Sequence, residues 1–204
     1  MIDAGIAHLT KRDKVLGRFI RKIGPIQFEA AKRRSPFAAL TQAVIGQQLS
    51  AAAARLIHKR LTGMLPSGTA LKPAEILALP DESLRSAGLS RAKIATVKDI
   101  AKRATEGLLP SKSQIVKMSD EEIVEALIEI KGVGRWTIEM FLIFTLGRPD
   151  VFPAGDFTVR KGFAVVHGLK DLPKPKHLLV HAEAWRPHRT TAALYLYRVV
   201  DLAE

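Results

Sequence analysis

The 204-residue sequence has no cysteine. That excludes a disulfide framework, a thiolate-bound zinc site and an iron–sulfur cluster held by cysteine. No stretch alternates apolar and polar residues with period two, so strand signals are nearly absent. No internal repeat and no low-complexity linker stands out. The most apolar run, Ile138 to Leu146, contains Glu139 and is too short to span a bilayer. The N-terminus shows no hydrophobic stretch followed by a cleavage site, so no secretory signal is read. The expectation is an intracellular protein with no membrane association.

What is present is positive charge. Lys and Arg number 32 against 20 Asp and Glu, a formal charge of +12. The excess is spread through Lys11–Arg12, Lys32–Arg34, Arg91–Lys93, Lys102–Arg103 and Arg160–Lys161. A strongly basic chain usually meets a polyanion, and nucleic acid is the commonest one; a solvated basic surface is the plain alternative. Apolar residues make up 47% and charged residues 25%, a globular composition with enough chain for a sizeable core.

Helix signals dominate, and the fold class read from pattern is all-α. Ser35-Pro36 combines an N-cap with proline at the first helical position, opening a helix from Phe37 to Ile45. Ser50 caps a second helix that ends near Gly63, and Gly88 stops a short helix from Glu82 to Ala87. Ser90 starts a helix with Ile94, Val97 and Ile100 on one face. Ser119 and Glu122 form a capping box before the stripe Ile123, Leu127 and Ile130. A buried helix is expected from Trp136 to Leu146, and two more over Phe157 to Val166 and Thr190 to Leu202.

The most specific local feature is Ile128-Glu-Ile-Lys-Gly-Val-Gly-Arg-Trp-Thr137, in which a helix ends, a turn carries two glycines, and a second helix starts at once. Glycine allows the torsions of a tight turn and close approach of the main chain to another surface. The first amides of the second helix are unpaired and lie at its positive end, which makes a phosphate site that does not read sequence. Lys131 and Arg135 flank it with charge. Read from the Gly-x-Gly alone, an ordinary helical hairpin whose glycines only shape the turn is the favoured account.

The full string closely resembles the helix-hairpin-helix of base-excision DNA glycosylases. Phe37 to Ser50 (FAALTQAVIGQQLS), Gly88 to Lys93 (GLSRAK) and Asp150 to Asp156 (DVFPAGD) are similar to the same superfamily, in its order. The likeness covers about Phe37 to Arg198 and is strongest to 3-methyladenine DNA glycosylases of the AlkA and yeast MAG type, without the extra N-terminal domain of AlkA. The resemblance implies a single glycosylase domain over residues 1–204 with two helical lobes and a DNA-binding cleft between them. A central lobe covers about 35–145, and a second lobe joins 1–34 to 146–204. It further implies a monofunctional glycosylase of base excision repair that releases alkylated bases of the 3-methyladenine type from double-stranded DNA and leaves an abasic site.

On local sequence Asp156 is an N-cap for the helix that follows, and Asp150 is a second loop acid. The family's catalytic loop assigns the catalytic carboxylate to Asp156. The chemistry suits a lone carboxylate: breaking an N-glycosidic bond builds positive charge on the sugar, which a fixed anion stabilises. An alkylated purine is already cationic and leaves without a second acid. Trp136 stands where bifunctional members carry a lysine, and tryptophan cannot form a Schiff base, so no strand cleavage is expected. Trp136 is either core or, by resemblance, a wall of the base pocket that attracts a cationic base. Met140 and His188 stand where AlkA has further aromatics, and Phe37 and Trp185 are further candidates for the pocket.

By resemblance Gln47, Gln48, Leu49 and Ser50 form the wedge loop that enters DNA when a base is flipped, with Gln48 or Leu49 filling the stack. The alternative is a plain helix connection with Leu49 packed inward. DNA contacts are further expected at Lys131, Gly132, Val133, Gly134, Arg135 and Thr137. No cofactor is required. The hairpin of the family often holds Na+ or K+ through carbonyls, here those of Ile128, Ile130 and Val133. His177 and His181 have a zinc-compatible spacing with Glu183 nearby, but without a third ligand at convincing spacing they read as a solvated helix face. A monomer is expected, cytoplasmic or nucleoid-associated in a bacterium, nuclear in a eukaryote. Two other readings remain: a glycosylase of the same architecture for uracil or oxidised bases, and a non-catalytic DNA-binding module.

Overall fold

A computed structural model describes residues 2–68 and 70–202. In chain order the helices are α1 (Ile2–Arg12), α2 (Lys14–Ile23), α3 (Pro36–Gly46), α4 (Ala51–Gly63), α5 (Pro73–Ala78), α6 (Asp81–Ala87), α7 (Arg91–Thr105), α8 (Lys112–Ile115), α9 (Asp120–Ile128), α10 (Arg135–Phe141), α11 (Phe157–His167), α12 (Pro175–Ala182) and α13 (Arg189–Asp201). A π-helical turn at Leu142–Leu146 follows α10, and a 3-10 turn at Glu183–Trp185 follows α12. The described residues contain no strand. None of their helices is long and apolar enough to cross a membrane.

The caps expected from sequence carry the hydrogen bonds that define them. The Ser35, Ser50 and Ser90 hydroxyls accept from the amides of Ala38, Ala53 and Lys93. Ser119 and Glu122 close a reciprocal box, with the Glu122 carboxylate accepting from Ser119 N at 2.7 Å. Each such cap contributes on the order of 1 kcal/mol. Ser111 and Gln114 form a second box at the start of α8, a four-residue helix too short for periodicity to reveal. The expected single helix from Trp136 to Leu146 is instead α10 followed by the π turn. Beyond it Arg148 N reaches back to Leu142 O at 3.0 Å and Gly147 turns at φ +68°.

Two compact units divide the chain: Ala31–Phe141, which is contiguous, and Met1–Ala30 joined to Leu142–Glu204. In the contiguous unit, α7 packs against α3 and α5, and Leu40, Val44, Leu61, Ile76, Val97 and Ile100 are fully buried. The two-segment unit is organised around α13. Residues Thr190 to Leu196 are buried without a break, so this stretch of the helix has no solvent stripe, as expected of an element central to its core. Helix α11 lies so close to it that a Cβ at Gly162 would run into the Leu196 carbonyl. Helices α1 and α2 complete the unit through Leu9, Leu16 and Ile20.

Candidate active site and nucleic-acid interface

In the contiguous unit the α3–α4 junction is tied to the hairpin by side chains. Gln47 Nε2 donates to Gly132 O at 3.1 Å and to Thr137 Oγ1 at 2.8 Å. Lys93 Nζ donates to the carbonyls of Ile45 at 2.8 Å and Gln47 at 2.7 Å, ending α3 where its last carbonyls need partners. Burial lowers the Lys93 pKa from its ordinary value. Held from both sides, the loop places Gln48 at its apex with φ +57°, the one non-glycine residue with positive φ among those described. Gln48 and Ser50 are exposed. Leu49 is 40% exposed, so the inward-packed reading of Leu49 is replaced by one in which both wedge candidates face solvent. Ser50 also spends its hydroxyl on the α4 cap.

The hairpin's two glycines have different reasons. Gly132 has φ +87°, and a Cβ on it would meet Thr96 Oγ1; the turn and the packing both require glycine. A Cβ on Gly134 would meet nothing within 4 Å. The fold therefore leaves open space over Gly134, next to the start of α10. Val133 and Thr137 are buried, while Lys131 and Arg135 are exposed, and Arg135 pairs with Glu139 at 3.2 Å. Ile130 O accepts from Val133 N at 2.9 Å and, as a carbonyl, keeps a second lone pair. Trp136 and Met140 are half-buried on α10.

In the two-segment unit Asp156 is both loop acid and cap. Its Oδ1 accepts from Val159 N at 2.9 Å at the start of α11, and its Oδ2 accepts from the Tyr197 hydroxyl at 3.1 Å. Asp156 is 8% exposed. The preceding loop is anchored by Thr190, whose hydroxyl donates to Arg148 O at 2.7 Å and accepts from Val151 N at 3.0 Å. Asp150, the other loop acid, is occupied: Arg189 Nε reaches its Oδ1 and Arg186 Nη1 its Oδ2, both at 2.9 Å. That ion-pair network fixes the loop and sets Asp150 apart from Asp156.

Tyr197, Thr190 and Arg189 were not singled out by sequence reasoning. Their spacing from the acid loop carries no local signal; only the helix itself, over Thr190 to Leu202, was expected. Tyr197 also extends an aromatic group through Phe144 (6.4 Å between ring centroids) to Phe28 (5.8 Å from Phe144). Phe144 lies in the π turn, 41% exposed, and Phe157, next to Asp156, is 64% exposed.

Two pocket candidates are corrected by burial. Trp185 is wholly buried, with its indole N–H donating to Asp13 Oδ2 at 3.0 Å and its ring edge-on to Phe152. Phe37 is 3% exposed in the α3 core. Neither has a face left to stack on a base. His188 lies against His8, with ring centroids 5.2 Å apart. Burial lowers its pKa first and the His8 ring adds to this, while Asp150 opposes both. The solvated-face reading fits His177, which is exposed, but needs correction for His181, which turns onto Asp13.

An all-helical fold that joins a glycine hairpin, a braced exposed loop and a buried loop carboxylate has the architecture of the helix-hairpin-helix DNA glycosylases. Residues 41–187 match the family described as the HhH-GPD superfamily of base excision DNA repair proteins, and the chain belongs to that family. It is 37% identical over 198 residues to DNA-3-methyladenine glycosylase 1 of Schizosaccharomyces pombe, covering 97% of this chain and 87% of the relative. The structure of the S. pombe 3-methyladenine DNA glycosylase Mag1 in complex with abasic DNA superimposes with a TM-score of 0.94, covering 98% of both chains. A DNA-3-methyladenine glycosidase from Bacillus halodurans superimposes at 0.82 with 33% identity, covering 98% of this chain and 90% of the other.

Proposed function

We propose that this chain is a monofunctional DNA glycosylase that hydrolyses the N-glycosidic bond of alkylated bases in double-stranded DNA, leaving an abasic site on an uncut strand. One observation carries the chemistry: Asp156 is buried, and both of its oxygens act as acceptors, one for a helix amide and one for a phenol. Such a carboxylate is pre-organised. As the bond to an alkylated purine lengthens, the sugar gains oxocarbenium character, and the fixed anion stabilises that charge without having to reorient. It also orients the attacking water and takes up its proton. The leaving base carries its own positive charge and needs no acid.

The contiguous unit supplies the binding. The amides following Gly132 take a phosphate across the open face of Gly134, with Lys131 and Arg135 adding charge. Gln48 at the loop apex is the wedge that fills the stack, and the Gln47 and Lys93 hydrogen bonds brace it. Trp136, with Met140, offers the base an aromatic face and no amine, so the strand is left intact. The residues suit a Na+ or K+ on the carbonyls of Ile128, Ile130 and Val133, where it would hold the hairpin backbone. The same reading makes the protein a monomer that acts wherever the DNA is, nucleoid or nucleus.

Release of free base from methylated duplex DNA, followed by alkali on a parallel sample, tests this. The expected outcome is 3-methyladenine release with strands intact until alkali is added. Asp156→Asn keeps a good N-cap residue and should bind DNA while release falls by about 10²–10⁴-fold. Release that survives this substitution would sink the assignment of Asp156.

A further inference from the structure

Asp156 opens α11, and His167 closes it. At that far end, outside every residue assigned above, three donors from three elements converge. Asp13 precedes α2, His167 ends α11 and His181 lies on α12. His181 Nε2 is 3.0 Å from Asp13 Oδ2, and His167 Nε2 is 3.8 Å from the same oxygen. All three ligand atoms lie within 4.8 Å of one another.

Hydrogen bonding alone accounts for only part of this cluster. It explains His181, but 3.8 Å is too long for His167, whose Nε2 is buried without a hydrogen-bond partner. The His167 ring is held in place by stacking on Phe163 at 4.1 Å between centroids. Two donors each about 2.0–2.1 Å from a tetrahedral ion are about 3.3 Å apart, and the separations of 3.0 and 3.8 Å lie on either side of that. The carboxylate is oriented as a ligand should be. Its Oδ1 accepts from Val15 N and Leu16 N, and Trp185 Nε1 donates to Oδ2, the kind of outer hydrogen bond that fixes a metal-binding carboxylate. The His181 side chain is 38% exposed, which leaves a path from solvent.

We propose that Asp13, His167 and His181 form a binding site for a divalent transition-metal ion of the zinc class, with water as the fourth ligand. Two imidazoles and one carboxylate suit zinc and its neighbours, whereas calcium and magnesium favour all-oxygen shells. On binding, His181 gives its Nε2 lone pair to the ion and carries its proton on Nδ1. The ion ties the end of α11 to α12 and to the α1–α2 corner. It therefore clamps the helix whose other end bears Asp156, and it takes no part in bond cleavage.

The test uses the full chain, free of any histidine tag and stripped with a chelator, titrated with Zn2+ by calorimetry and with Co2+ by visible absorption. One ion per chain is expected, with the d–d bands of a tetrahedral Co2+ site. A hundredfold excess of Zn2+ over Kd should raise Tm by about 5–10 °C. His181→Gln and His167→Gln should each weaken binding at least tenfold, while His177→Gln, one turn from His181, leaves it unchanged. His181 is half-exposed, so its variant remains folded if His167→Gln does not. No binding, or binding of equal strength in His181→Gln, overturns the site. Base release by the stripped protein is a separate readout and does not bear on this outcome.

Discussion

The two units hold their working residues in different ways. In the contiguous unit a turn, a loop and two helix ends do the work, and most of the shaping residues are backbone-directed: glycines, serine caps, and a lysine and a glutamine that bond carbonyls. The two-segment unit depends on side chain meeting side chain across large sequence distances. Trp185 reaches Asp13 over 172 residues, Tyr197 reaches Asp156 over 41, and Arg189 reaches Asp150 over 39. A phosphate site needs amides, which every residue except proline carries, so local sequence can build it. A lone carboxylate must be fixed by specific partners, and those come from wherever the fold brings them.

That contrast breaks if Trp185 is functional rather than structural. Trp185→Ala should cost about 3–5 kcal/mol, since it empties a core site and takes the indole N–H from a buried carboxylate. Asp13 shows how much rests on this contact. Burial would raise its carboxyl, but hydrogen bonds from His181, Leu16 N and Trp185 hold it at about 2. Trp185→Phe should be milder and leave the range of excised bases unchanged, measured as release of each base. A shifted range with unchanged stability would return Trp185 to the pocket.

The glycine pair sharpens the comparison within the contiguous unit. Gly132→Ala is expected to lose about 1–3 kcal/mol from its positive φ alone, and more from the contact with Thr96. Gly134→Ala should leave stability within about 0.5 kcal/mol and weaken affinity for undamaged duplex about tenfold, one hydrogen bond's worth. Denaturation and binding curves for both variants would separate the two roles. Equal stability losses would mean that Gly134 serves the fold after all.

Tyr197→Phe removes only the hydroxyl on Asp156. Base release is expected to slow about tenfold at saturating DNA with KM little changed, and stability to fall by about 1 kcal/mol. An unchanged single-turnover rate would demote Tyr197 to packing.

The smallest effect concerns pH. His188 has a folded pKa below its ordinary 6.5, so the unfolded chain takes up the proton first. Its contribution is fully present above pH 6.5 and is lost as pH falls from there through the folded value. His188→Gln should flatten the fall in stability with acidification in that window, read from denaturant midpoints across pH. A steeper slope in the variant would contradict the direction of the shift.

Much of the contiguous unit was legible from residue order. Ser35, Ser50, Ser90 and Ser119 act on amides three positions ahead, and a 3.6-residue period marks the buried faces of α7 and α9. Helices α5 and α8 were not anticipated because they are short, and a stripe needs several turns to show; α1 and α2 were not anticipated either, although they run to 11 and 10 residues. Lys93 lay within a recognised motif, yet its partners are 46 and 48 residues away and leave no periodic trace. His181 was seen as half of a pair with His177; its actual companions, Asp13 and His167, share no spacing with it.

Sequence by itself determined the all-helical class, the caps, the glycine hairpin, the absence of thiolate chemistry and the likeness to a glycosylase superfamily. These are set by backbone preferences and hydrogen bonds that close within a few residues, or by motifs that stay in order. Only the tertiary structure decided that Trp185 and Phe37 are core, that Asp150 is spent on two arginines, that Tyr197 steadies Asp156, and that Asp13 meets two histidines. Those outcomes depend on which side chains packing brings together after the chain ends have joined, and no local preference encodes them.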